Sequence, residues 1–339
     1  MAQSTNFYPS QNVSVWYQKE SDVGTEPDDA GLKKLQTTSF TIPEASVPLE
    51  TSTARSGQFV TTASQVRHSE GTKMWTFETT LKGTTTSILL ATEAVFEDAS
   101  SEAELNNDYT FPSATYTDAA SSASTFDIRF VNAGADSATE TIECAGCVGT
   151  GFTLTEDIGS ENGEMVCVIQ WATAYMPVHS GTDISSAAYD TGTPKNIRNL
   201  NSATTGINGG ALEELVIQSW ELSVNRTIER IHYKDNTSGT FKPFGYAMTG
   251  GFEVTGSITC IRNDDVHDLL AKFYDSNTVD INIQESTAGN LTIALDTCKL
   301  NESSVDNGGA VLMQTIPFTV VGADDISSST KMLGITVAN

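Results

Sequence analysis

Few residues in this chain have the type and spacing that chemistry requires. The one short motif is Cys144-Ala145-Gly146-Cys147, whose spacing suits a redox pair or half of a zinc site. A zinc site wants a second ligand pair, and neither another Cys-x-x-Cys nor a nearby His supplies it. The motif also falls in a strand pattern rather than at a helix N-terminus, where a thiolate would be favoured, so both cysteines read as core thiols. His267 lies beside Asp264 and Asp268, a composition suited to acid–base work, yet the acids sit where a helix's first turn attracts negative charge. His68, His179 and His232 are scattered on loops, and Asp28-Asp29 and Asp324-Asp325 lack EF-hand spacing and read as solvated acids. Gly149-Thr150-Gly151 is followed by no helix, and there is no GxSxG elbow. The chain is expected to be no enzyme and to need no cofactor or metal.

The elements that would position such residues are framed by composition. A length of 339 residues suits two domains, and 38% apolar with 18% charged residues is a globular composition. Acidic residues number 43 against 18 basic ones, a formal net charge of -25. A nucleic-acid binder needs Lys and Arg clusters to neutralise phosphates, and none exists, so the acidity serves solubility or a surface that faces DNA without sticking to it. The start, MAQSTNFYPSQNVSVWY, lacks the pattern of a secretory signal, and no stretch approaches the roughly 18 apolar residues of a spanning helix. Synthesis in a cytoplasm is expected, and the five cysteines, an odd number, are expected as reduced, buried thiols.

Short strands between Gly, Asn, Asp, Ser and Thr clusters dominate, and they repeat. Ser39-Phe40-Thr41-Ile42 is matched by Ser219-Trp220-Glu221-Leu222. Trp75, Phe77, Thr79 and Leu81 alternate in MWTFETTLKG as Phe252, Val254, Gly256 and Ile258 do in GFEVTGSITC, an offset of 177 (75 to 252). A helix follows in each half, with Val266, Leu269, Leu270 and Phe273 on one face of NDDVHDLLAKFYD under an Asn263 cap, and Ile88, Ala91 and Val95 on one stripe of TTTSILLATEAV. Phe126, Ile128 and Phe130 then match Val279, Ile281 and Ile283, while Thr141, Ile142, Cys144 and Cys147 match Thr292, Ile293, Leu295 and Cys298. Turns holding Asn162-Gly163 and Asn307-Gly308 lead to the closing strands MVCVIQW and VLMQTIPFTV.

The expected fold is mainly β: two similar sandwich or barrel domains, each with one short α-helix. The division is an N-terminal arm (1–36), a first domain (37–176) with a surface insertion at about 96–124, a linker (177–210), a second domain (211–322) and a C-terminal arm (323–339). The second half, from IQSWELSVN through GFEVTGSITC, NDDVHDLLAKFYD, LTIALDTCKL and MQTIPFTVV, resembles the tail tube proteins of long-tailed bacteriophages. The repeat extends that resemblance to the first half. The long insertion and the terminal arm depart from the simplest members.

The resemblance implies a subunit of the virion tail, assembled in the host cytoplasm. It implies self-association into rings, three chains favoured over six, that stack into a tube for genome delivery. It also implies a tape-measure protein and tail terminator or baseplate proteins as partners, DNA passing without specific binding, and no membrane. The long loops between the first two strands of each domain, about 50–73 and 226–250, would make the contacts between stacked rings. Arg55, Arg67, Arg226, Arg230 and Lys234 are their candidate residues, against the simpler reading of solvated charges. The alternative function is a cell-surface adhesin or carbohydrate-binding β-protein, which would share the acidity, the Ser and Thr richness, and Asn-x-Ser/Thr sites such as Asn225 and Asn236.

Overall fold

The computed structural model of the chain describes residues 13–24, 31–44, 46, 49–51, 66–68, 73–106, 109, 114–115, 124–132, 141–180, 188–208, 212–234, 241–264, 266, 278–286, 290–322 and 331–337. The protein is mainly β, as its alternating patterns require. In chain order come β1 (Val13–Lys19), β2 (Lys33–Lys34), β3 (Thr37–Phe40), β4 (Leu49–Thr51), β5 (Val66–His68), β6 (Trp75–Lys82), α1 (Thr85–Phe96), β7 (Glu102–Asn106) and β8 (Ala114–Thr115). Then follow β9 (Phe126–Asn132), β10 (Thr141–Asp157), β11 (Val166–Thr173), β12 (Val178–Ser180), β13 (Ala188–Tyr189), β14 (Gly206–Asn208), β15 (Leu212–Glu214) and β16 (Ile217–Asn225). The last are β17 (Ile228–Lys234), β18 (Phe241–Met248), β19 (Glu253–Ile261), β20 (Val279–Gln284), β21 (Leu291–Leu300), β22 (Ser304–Asp306), β23 (Met313–Val320) and β24 (Lys331–Val337).

Two sets of antiparallel pairings match each other. β6 pairs with β3 and β11, β10 with β11, β9 and β12, and β9 with β1. In the second half β19 pairs with β16 and β23, β21 with β23, β20 and β24, and β20 with β14. Even the irregularities recur. Phe126–Cys147 and Ile128–Cys144 flank a one-residue bulge on β10, and Val279–Cys298 and Ile281–Leu295 flank the same bulge on β21. At each bulge the cysteine thiol donates to the carbonyl three residues before it, Cys147 to Cys144 at 3.0 Å and Cys298 to Leu295 at 3.9 Å. The pairs Thr37–Leu81 and Phe40–Thr79 recur as Ile217–Cys260 and Trp220–Ile258, each with one register shift between them. This fixes the offset of β6 to β19 at 179 (Leu81 to Cys260), where the sequence pattern suggests 177. The slip is even, so the inward phase is unchanged.

One core runs through both halves. The stripe of α1 packs Ile88, Ala91, Ala94 and Val95 inward, and Phe96 meets Phe152 and Phe252 edge-on at 5.5 and 6.0 Å. Thr84 caps α1 and shares a capping box with Ser87, while Glu97 ends it with φ 61. In the second helix only Asp264 and Val266 are described, and the Asn263 carboxamide accepts from the Val266 amide as a cap should, at 3.0 Å.

Four segments read as peripheral are built into the sheets. The N-terminal arm supplies β1, paired with β9 over seven residues, with Val15 fully buried. The linker supplies β12 to β10 and β14 to β20. The C-terminal arm supplies β24, whose partners are β21 and β7. The described parts of the insertion join the sheets: β7 extends the second half's sheet through β24, and β8 pairs with β18. The physical reason is common to all four: a short apolar strand buries its inward side chains and satisfies its backbone only beside another strand.

Candidate functional site: a polar sheet face with two open edges

Followed pairing by pairing, the curled, barrel-like sheet is branched, and one continuous run within it is β3–β6–β11–β10–β16–β19–β23–β22. The two halves join in this run at the β10–β16 seam, where Phe152, Leu154, Val224 and Leu222 are fully buried. Alternation gives the run an apolar inner face and a polar outer one. Its outer positions hold Thr76, Glu78 and Thr80 on β6, Thr153, Thr155 and Asp157 on β10, and Ser219, Glu221 and Ser223 on β16. They continue with Glu253, Thr255, Ser257 and Thr259 on β19 and Thr315 and Thr319 on β23. Hydroxyls bond across strands, Thr153 to Ser223 at 3.3 Å and Thr259 with Thr315 at 3.0 Å. The cation of these strands on this face is Lys82, held by Glu164 at 2.6 Å, and Lys299 of the neighbouring β21 lies opposite Thr319. Short hydroxyls and carboxylates dominate the face, interrupted by Val166 and Val168 on β11 and by Pro317 on β23.

Among the described residues, each end of the run stops at a strand paired on one side only. β3 pairs with β6, and β22 with β23. Beside these edges Ile42 and Val305 stay 38% and 46% exposed.

The basic residues expected in stacking loops have other placements. Arg226 is buried, and its guanidinium donates to the Gly149 carbonyl at 2.9 Å, the Ala94 carbonyl at 2.7 Å and the Glu97 carboxylate at 3.2 Å. Arg230 is also buried and donates to the Lys73 carbonyl at 3.1 Å. Both arginines are engaged within the chain, which removes them as ring-stacking contacts. The reason is that loop 226–250 forms the β17–β18 hairpin and folds back on the first half, where the Tyr246 hydroxyl donates to the Gly146 carbonyl and accepts from the Ala174 amide. Arg67 pairs with Glu50 in the β4–β5 hairpin and Lys234 with Phe241 in β17–β18, their side chains outside the described residues, as is all of Arg55.

Of the residues considered for chemistry, the cysteines are built into the core. All five cysteines are free and buried, and burial pushes the Cys144 and Cys147 thiols far up, which disfavours a thiolate. His267 and Asp268 lie outside the described residues, and His179 is exposed on β12. The sequence pattern does not flag three buried carboxylates. Glu20, pushed up to about 7 by burial, accepts from the Gly146 and Gly24 amides at 2.7 and 2.9 Å. Asp127, pushed up to about 8 by burial against the opposing pull of Arg129, bonds Arg129 at 2.7 Å. Glu156, also pushed up to about 8 by burial, accepts from the Trp220 indole across the seam at 2.7 Å.

A cleft of about 620 Å³ lies beside the start of α1, lined by Lys33, Thr86, Tyr189, Lys195 and Glu285 among others. Its acid Asp190 is already engaged, accepting from the Thr84 and Thr86 hydroxyls and the Gly192 amide. No protein-family model and no curated protein matches the chain.

Proposed function

We propose that the chain is a structural subunit of a bacteriophage tail tube, closing into rings that stack around a channel for genome delivery. The observation that carries this reading is the continuous sheet run: one largely polar, carboxylate-bearing face spans both halves and ends in two edges that are unpaired among the described residues. A wall built this way presents hydroxyls and negative charge to a passing polyanion and offers it few cations. The repeated pairing supports a ring in which three chains supply six similar units, since two fused copies already contain one head-to-tail junction. Eight strands per chain would then give 24, a barrel roughly 45–50 Å across at ordinary strand spacing and tilt. That width leaves room for a DNA duplex, and for a tape-measure protein before it. Ring stacking draws on other surfaces than Arg226 and Arg230, and tail terminator or baseplate proteins would meet the tube's ends.

The test is direct. Purified protein in negative-stain micrographs, with mass measured by light scattering, is expected to show rings of three chains and tubes. A monomer that persists at high concentration and binds glycans would overturn the reading. It would favour instead an adhesin or carbohydrate-binding protein, using the cleft with exposed Tyr189.

A further inference from the structure

From the internal seam we infer the register of the contact between copies: β22 of one chain pairs antiparallel with β3 and its extension in the next, Val305 facing Ile42 and Asp306 facing Thr41. This rests on the ring reading and goes beyond it by naming the strands and the residue pairs.

The argument needs only the repeat. At the seam, β10 pairs with β16, with Leu154 opposite Leu222 and Thr155 opposite Glu221. The counterpart of β16 is β3, because Phe40 faces Thr79 as Trp220 faces Ile258, which makes Ile42 the counterpart of Leu222. The counterpart of this part of β10 is β22. Ile169 and Ile316 occupy matching places opposite Thr79 and Ile258, so Cys167 corresponds to Gln314. Leu154 faces Cys167 and Val305 faces Gln314, so Val305 is the counterpart of Leu154. The two edges left open in one chain are therefore the two partners that are joined at its middle.

Three independent details fit. Ile42 and Val305, the counterparts of two fully buried leucines, are among the exposed large apolar residues of the single chain. Hydrogen bonding fits as well. Ile158 donates to the Gln218 carbonyl and Arg226 to the Thr150 carbonyl, so the alternate pair Leu154–Leu222 is a hydrogen-bonded one and Thr153–Ser223 is not. The counterpart of Ser223 is Pro43, which has no N–H to give, and the seam asks for none there. Thr41 donates inward to the Glu78 carbonyl, which leaves the amides of Phe40 and Ile42 pointing to the open side. Finally, β3 and β22 do not pair with each other among the described residues, so the partner that joins them is a second copy rather than the same chain.

The experiment is disulfide trapping in the full-length chain, whose own cysteines are buried. Thr41→Cys/Asp306→Cys, a facing pair outside the hydrogen bonds, is expected to give covalent dimers and trimers under mild oxidation on non-reducing gels. The shifted pair Thr41→Cys/Ser304→Cys and both single variants are expected to stay monomeric. Val305→Asp is expected to weaken ring formation at least tenfold while leaving the monomer's melting temperature unchanged. Rings with no cross-link, or with equal cross-linking of the shifted pair, would overturn the register and leave the tube reading standing. Absence of both rings and cross-links would overturn the two together.

Discussion

Glu156 stands on the seam with one carboxylate oxygen on the Trp220 indole and the other without a hydrogen-bond partner. Burial holds its proton up to about pH 8, whereas an unfolded glutamate gives its proton up near 4.3. The folded state thus binds more protons than the unfolded one across that window. The stabilisation is complete below the lower value and is lost as pH rises through the upper one. Glu20 and Asp127 act in the same sense, with upper limits near 7 and 8. The melting temperature is expected to fall between pH 5 and 8, and Glu156→Gln, which keeps an acceptor for the indole, to shrink that fall by a few degrees. Identical slopes for both proteins in scanning fluorimetry would refute this. None of these placements is legible in the sequence. Alternation assigns Asp127 and Arg129 to an outward phase, but Trp16, Leu32 and Val131 form an apolar layer around them, and both are fully buried. Arg226 likewise reads as a loop charge because its acceptors, Ala94 and Gly149, are distant in sequence.

At the scale of elements, the repeated strands are legible wherever both copies keep the same period. Phe126 to Phe130 and Val279 to Ile283 hold matching rungs, and the matched cysteines Cys147 and Cys298 sit at a bulge that the pattern does not announce. Matching aromatics mislead once, since they set Trp75 against Phe252 although its ladder counterpart is Val254. β24 escapes the pattern for a different reason. Leu333, Ile335 and Val337 alternate clearly, but their counterpart in the first half is the three-residue β12, too short to register as a repeat. Truncation after Gly322 therefore tests strand against arm. Loss of β24 is expected to speed amide exchange at least tenfold in both Glu102–Asn106 and Leu291–Leu295, read by mass spectrometry. Unchanged exchange there would show β24 to be a dispensable arm.

For the whole molecule, net charge is legible but its distribution is not, because which strand faces turn outward depends on the seam. The outer face collects Glu78, Glu221 and Glu253, and reversing all three to Lys moves the net charge from -25 to -19. The natural protein is expected to leave duplex DNA unretained at about 50 mM salt, and the reversed variant to retain it until about 200 mM. Equal retention by both would separate the face from any role in keeping DNA unbound. The clasp of β7 by β24 sets a timetable for biogenesis. At synthesis speeds of roughly 5–20 residues per second, β7 leaves the ribosome some 10–45 seconds before Lys331–Val337 can reach it. Throughout that interval a nascent strand waits with a bare margin, so a holdase that shields it is expected to raise the yield of native chains.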